Sequence, residues 1–529
     1  MATKLDYELT ELPHGNFSSR AKDAVVVAST VPEKYRGTEV DHHDMRALGK
    51  TQVLRRNFKT LGMVAFANSV MVVWETLLVV SGLGLSVGGR APVFWGLIYG
   101  AFAMTCIYFT IAEMAAIAPT AGGQYHWVSE LAPRSIQSFL SYITGWLVAL
   151  GWVSYLTLVS FTAATTIQGI AALNYPNYVA QPWHATLLTW AVVSFGFFFN
   201  TVLAPRLPAV EVIFFILHIV GWFGIFVTLL VMAPRHNAVD TFTTFVDGGE
   251  WGSLGLSAVI TMTNSTAMLV GYESPVHMSE ETENASRVMP RVISWSIIMN
   301  ALMVIALAGI YVTAIDDLEA TLSTPTGVVF IQVFYDVTKS KAGTSVMASI
   351  VVVELISASI AEGACASRQM WSFSRDNGLP ASCWLAKVSA GFNIPINAIL
   401  TTVVIVALIS LINIGSSAAL NAINSLGGIS ILATYLIVVA CYIWNRATHD
   451  KPPRGQWSPF GLVIAIVGWC AVFPVFFFLL WPLSNHPNAE TMNWAIAMNG
   501  GVLILASIWY AIRAHKTYQP PVAKVLHDE

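Results

Sequence analysis

An all-α polytopic membrane protein with twelve transmembrane helices is the fold class the sequence predicts, on three observations. Charged residues make up 11% and hydrophobic residues 55% of the 529-residue chain, whereas a soluble chain carries about 25% charged residues. Apolar runs of about 20 residues, the length that crosses a hydrocarbon core about 30 Å thick, recur from residue 61 to residue 513. Lys and Arg gather on one side of those runs, the bias that orients membrane helices.

The elements follow in chain order. Residues 1–55 are polar and lack the apolar core of a cleaved signal peptide; they are predicted to form a disordered cytosolic tail. A twelve-helix domain spans 56–515, with apolar runs at 61–86, 92–118, 138–168, 184–204, 209–233 and 254–275, then at 287–313, 344–368, 395–413, 421–445, 458–482 and 493–513. Residues 516–529 form the second tail.

With the N-terminus inside, seventeen basic residues fall on the inner side: Lys50, Arg55, Arg56, Lys59, Arg134, Arg206, Arg287, Arg291, Arg368, Arg375, Lys387, Arg446, Lys451, Arg454, Arg513, Lys516 and Lys524. The outer loops hold four, Arg90, Arg235, Lys339 and Lys341. Both termini are therefore predicted to be cytosolic, as an even helix number requires.

The first span, LGMVAFANSVMVVWETLLVV, is interrupted by Asn68 and Ser69, and the sixth, LSAVITMTNSTAMLVGYESPVHM, by Gly271–Pro275. Read as two five-helix repeats, about 61–233 and 254–445 with extra helices at 458–513, the chain places these two spans at equivalent positions of opposite topology. Matching breaks in inverted halves point to a transporter binding site. Unpaired backbone groups persist at membrane depth only where they face a cavity or ligand. A half-helix N-terminus carries about half a positive charge and a C-terminus the opposite, so opposed breaks suit a carboxylate at one edge and an ammonium at the other. The bland alternative is that Asn68 and Ser69 merely glue helices together and that Gly271–Pro275 is a kink.

Intramembrane carboxylates are costly and default to functional roles. Glu75 lies two turns beyond the Asn68–Ser69 interruption beside Trp74, Glu273 lies in the sixth-span break, and Glu354 lies near the middle of the eighth span with Ser357 one turn on. His218, in the fifth span, could titrate near neutral pH. Glu75, His218 and Glu354 are therefore the candidates for ion or proton coupling. Glu113, Glu211 and Glu362 are assigned structural roles, and Glu280, Glu281, Glu283, Arg287 and Arg291 an intracellular latch. Tyr272 could close over substrate, with Tyr155 and Trp152 as further candidates. For a choline-like cation, Trp74 and Tyr272 could supply cation–π contacts of up to about 2 kcal/mol.

Four stretches carry a resemblance. AEMAAIAPTAGGQYHWVSELAP (112–133), HMSEETENASRVMPRVI (277–293), DDLEATLSTPTGVVFIQVFYDV (316–337) and ASRQMWSFSRDNGLP (366–380) are similar, in this order, to motifs of the fungal amino acid/choline transporter family. That family of GABA, choline and amino acid permeases belongs to the amino acid–polyamine–organocation superfamily. The resemblance implies a LeuT-type five-plus-five inverted repeat plus two C-terminal helices, with the first and sixth spans unwound at mid-membrane. By position, Ala67, Asn68, Ser69 and Val70 match the unwound part of the first span, and Gly271, Tyr272, Glu273 and Ser274 that of the sixth. Glu273 departs from the Asp common at its position, which leaves substrate size and charge open.

These readings converge on a proton-coupled permease of amino acids or GABA working by alternating access. A choline or organic-cation permease is the alternative, and a nutrient receptor that no longer transports a third reading. The partners are a small-molecule substrate, the proton and the lipid bilayer; the plasma membrane is implied by resemblance alone. A net charge of −3 without a basic stripe gives no reason to expect nucleic acid. No H-E-x-x-H, nucleophile elbow or phosphate-cradling loop is present, so neither enzyme, metal nor cofactor is expected. Four of the five cysteines lie in apolar spans, which implies no disulfide framework.

Overall fold

A computed structural model describes residues 27–525 except 235, 450, 451, 455 and 489–491. The expected tails thus lie outside the described residues over 1–26 and 526–529, as do Arg235 and Lys451. Among the described residues all regular structure is helical, and the β pairing is two isolated bridges, Val27–Gln52 and Phe58–Thr282.

A short helix, α1 (Glu39–Ala47), precedes the bundle. The first span divides into α2 (Thr60–Met71) and α3 (Val73–Val87), followed by α4 (Arg90–Ile117), the short α5 (Gln124–Leu131), α6 (Gln137–Asn174), α7 (Pro182–Thr201) and α8 (Leu207–Met232). The sixth span is α9 (Leu254–Ala267), an irregular stretch and a 3-10 turn, Ser274–Glu281. Then come α10 (Ala285–Thr313), α11 (Val329–Thr338), α12 (Lys341–Arg375), α13 (Ile396–Ser410), α14 (Ser417–Thr448), α15 (Gly461–Leu479) and α16 (Ala495–Trp509).

Among the described residues, eleven helices are long and apolar enough to cross a membrane, and each overlaps an expected run. The twelfth expected run, 254–275, lacks such a helix because its regular winding stops at Ala267. Helices α4, α8, α10 and α12 pack around α2, α3 and α9, and α6 packs against α12 and α14. The outer helices show their apolar side chains instead: Ile213, Ile216, Val220, Phe223 and Val227 line an exposed face of α8.

The tail boundary is corrected by the packing. Residues 27–55, expected to be disordered, hold α1 with a Thr38–Asp41 capping box. Met45, Leu48 and Leu54 of this stretch are buried at 1% exposure. Asp41 explains the order, because it pairs with Arg56 at 3.2 Å and accepts hydrogen bonds from the Asn284 and Ala285 N–H groups at the start of α10.

Candidate functional site

The first-span interruption differs from the expected one. Ala67, Asn68, Ser69 and Val70 are helical, and the residue off the helix is Val72, with φ 34° and ψ 50°. A β-branched residue seldom adopts this left-handed conformation, and holding it there costs on the order of 1–3 kcal/mol. The break frees the last carbonyls of α2 and the first amides of α3, those of Val73, Trp74 and Glu75. Asn68 takes the bland role: its Nδ2 donates to the Val64 carbonyl at 2.6 Å and to Ser296 Oγ at 3.4 Å, and it accepts from Asn300 Nδ2 on α10. It therefore joins two helices. The sequence placed the break at the polar pair; the turn itself falls among apolar residues that give no polar signal.

The sixth-span interruption runs from Met268 to Glu273, with Gly271 at φ 130°. One side chain from α4 holds it. The Tyr108 hydroxyl donates to the Leu269 carbonyl at 2.8 Å and accepts from the Gly271 and Tyr272 N–H groups at 2.8 and 3.2 Å. The two interruptions face each other. A Cβ on Gly271 would come within 2.7 Å of Met71 Sδ, and the Trp152 ring lies 3.8 Å from the same point. Trp152 Nε1–H donates to His277 Nε2 at 2.9 Å, while the His277 Nδ1 hydrogen bonds the Ala121 carbonyl at 3.0 Å, which fixes that ring. Tyr155 reaches the Val270 carbonyl at 3.5 Å.

The acidic candidates separate into two groups. Glu273 turns toward α5 and α14, where Gln124 Nε2 donates to it at 3.0 Å and the Tyr435 hydroxyl donates to its other oxygen. It makes no cap bond to the turn that follows. Next to it, the Ser274 carbonyl meets Cys365 Sγ at 3.6 Å and its Oγ has no partner among the described residues. On the far side of Val72, Glu75 Oε1 is 2.8 Å from His218 Nδ1. Glu354 joins them, with ligand atoms of all three residues within 4.8 Å of one another. Both Glu354 oxygens and Ser357 Oγ are buried without a hydrogen-bond partner among the described residues. Tyr272 packs edge-on against Tyr108 at 5.5 Å. The polar and ionisable side chains of the site other than Tyr155 are at most 1% exposed, so the site is closed from both ends in this conformation.

The expected latch forms with different bases. Glu280 pairs with Arg375 at 2.8 Å and lies 3.8 Å from Lys50, and Glu281 pairs with Arg368 at 2.7 Å. Arg287 and Arg291 are exposed and take no part in these pairs. Burial, with Arg375 alongside, lowers the Lys50 ammonium to about 8. Of the acids assigned structural roles, Glu113 pairs with Arg446 at 3.5 Å, whereas the Glu211 carboxyl has Ser69 Oγ as its polar neighbour.

Sequence reasoning missed Tyr108, Tyr435, Gln124 and Met71. Gln124 lies inside the AGGQYHW stretch that carries the resemblance. Tyr108 and Tyr435 are aromatic residues among many in apolar runs, and nothing local distinguishes them.

A family model described as amino acid permease matches residues 58–503. The chain belongs to the amino acid permease family. This permease is 28% identical over 446 residues to a Macrophomina phaseolina chain named as an amino acid/polyamine transporter, covering 82% of this chain and 97% of that one. It is 26% identical over 522 residues to amino-acid permease 2 of Neurospora crassa, covering 97% and 94%. It is 24% identical over 469 residues to the choline transporter of Saccharomyces cerevisiae, covering 88% and 83%. Family membership makes the permease a multi-pass integral membrane transporter, not an enzyme.

Proposed function

We propose that this permease imports amino acids, the ω-amino acid GABA among them, together with protons and by alternating access. One observation carries the reading: the first and sixth spans lose their regular winding where Met71 meets Gly271, deep in the bundle. The free amides of Val73, Trp74 and Glu75 stand at the positive end of α3, which suits a substrate carboxylate. The carbonyls that end α2 suit an ammonium. Ala67 to Val70 line the approach to this point on α2, Gly271 to Ser274 form its other wall, and Tyr155 and Ser357 flank it. Glu75, His218 and Glu354 supply the coupling site. The chain crosses the bilayer twelve times, the sixth crossing in two pieces, as a five-plus-five repeat with both termini in the cytosol of the plasma membrane.

Choline is the second reading, favoured by the named Saccharomyces cerevisiae relative and by Glu75 and Glu273, which suit a cation without a carboxylate. Uptake of radiolabelled GABA, choline and a mixed amino acid set, with and without a protonophore, tests both. We expect uptake of an amino acid that the protonophore abolishes. Choline uptake alone would transfer the assignment to the second reading, and flat uptake of every probe would overturn both.

A further inference from the structure

We infer that Glu211, Glu354, Glu75 and His218 form a buried proton relay that passes the Val72 break from one side to the other. Glu211 is a proton carrier in it. The inference rests on the proton-coupled reading and deepens it.

The geometry comes first. Glu211 and His218 are seven residues apart on α8, two turns along one face and about 10 Å in rise. They straddle the break: Glu211 neighbours Ser69 of α2, and His218 contacts Glu75 of α3 at 2.8 Å. From α12, Glu354 lies within electrostatic range of both Glu75 and Glu211. Glu75, Glu211, His218 and Glu354 are each 0% exposed.

Charge comes second. One imidazole faces three carboxylates, and no Lys or Arg is among the groups that act on Glu75, Glu211 or Glu354. The other helices packed on α8 add none: Arg287 and Arg291 of α10 are exposed, Tyr311 bonds Ser81, and Asp336 of α11 bonds Gln332. An unpaired buried carboxylate is too costly to persist and takes up a proton instead. One imidazole can balance at most one of the three carboxylates, which leaves Glu211 and Glu354 as the groups expected to hold a proton each.

Unsatisfied atoms come third. Both oxygens of Glu354, Glu75 Oε2, His218 Nε2 and Ser357 Oγ are buried without partners among the described residues, and the Glu211 carboxyl has Ser69 Oγ as its polar neighbour. A core built for stability satisfies such groups; here they stand ready to exchange protons. In each transfer the O–H proton of one carboxylic acid passes, directly or through a serine hydroxyl, to the carboxylate or imidazole nitrogen ahead of it. The donor becomes the carboxylate that accepts the next proton, and nothing is oxidised or reduced.

The test uses the full-length protein in proteoliposomes, with radiolabelled GABA, choline and a mixed amino acid set as probes. Two transport readouts are taken: substrate exchange at equal pH, which needs binding and alternation only, and accumulation driven by an acid exterior. Infrared spectra of the same samples report protonated carboxyl groups. We expect Glu211→Gln and Glu354→Gln each to keep exchange, lose accumulation and remove one protonated carboxyl band. Wild-type accumulation in either variant, unchanged infrared bands, loss of exchange in both, or accumulation that follows a sodium gradient would overturn the relay. If the wild type exchanges none of the probes, the transport reading fails, and the infrared bands still decide whether the two carboxyls hold protons.

Discussion

Gly271 shows how a single atom holds the site together. Its φ of 130° and its closeness to Met71 Sδ leave no room for a side chain. Gly271→Ala is expected to cut uptake at least about tenfold, because a displacement of about 1 Å at a binding site has effects of that order. Paired uptake and thermal-stability measurements check this, and wild-type uptake would show that the contact does not matter. At this scale the sequence was legible where a residue departs from its surroundings. Glycine, proline and glutamate inside an apolar run drew attention to 271–275, and the irregular stretch, Met268–Glu273, begins three residues earlier and overlaps it. Asn68 misled for the same reason: a polar side chain in a span signals a need for hydrogen bonds, and helix packing meets that need as well as a break does. Val72 gives no such signal, since it is a buried apolar residue among apolar residues.

At the scale of elements, α5 shows how a helix between spans is fixed by buried charge. His126 Nε2 bonds Glu130 Oε1 at 2.7 Å, and Arg454 bonds both Glu130 oxygens at 2.8 Å. Burial, with Lys50 nearby, lowers His126 to about 4. Burial pushes Glu130 upward, but the bond from His126 and the Arg454 guanidinium outweigh it and bring the carboxyl to about 2. The two signs agree. The unfolded chain takes up a proton on His126 near pH 6.5 that the folded chain refuses until about pH 4, so stability falls as pH falls through that window. Glu130 adds a second loss between its ordinary 4.5 and about 2. We expect His126→Gln to remove the first loss, of at most about 3 kcal/mol, and detergent-solubilised thermal unfolding against pH measures it. An unchanged pH slope in the variant would refute the assignment. Hydropathy located the long helices because length and apolarity suffice for them. It passed over α1 and α5, whose order depends on partners far away in the chain.

At the scale of the whole molecule, both ends of the described chain strap one end of the bundle. Asp41 and Arg56 fasten the N-terminal segment to α10, and Phe58 exchanges backbone bonds with Glu281 and Glu283 at the end of the 3-10 turn that follows the sixth-span break. Lys524 pairs with Asp376 at 3.0 Å just beyond α12, and the Gln519 N–H donates to the Asp376 carbonyl. Asp41→Ala leaves Arg56 buried without its carboxylate and uncaps α10, a loss of about 3 kcal/mol that a lowered thermal midpoint and faster proteolysis at residues 27–58 would report. An unchanged midpoint would mean that the strap is ornamental. Composition alone read this polar stretch as free tail, because polar residues that order through long-range ion pairs look the same as those that stay in water.

Val72 bears on how such a protein moves. A glycine joint would swing through a continuum of angles, whereas a branched side chain tolerates few backbone settings. If the first crossing bends at Val72 during transport, as the proposed alternating access requires, it would rest in a small number of discrete bends, like a detent.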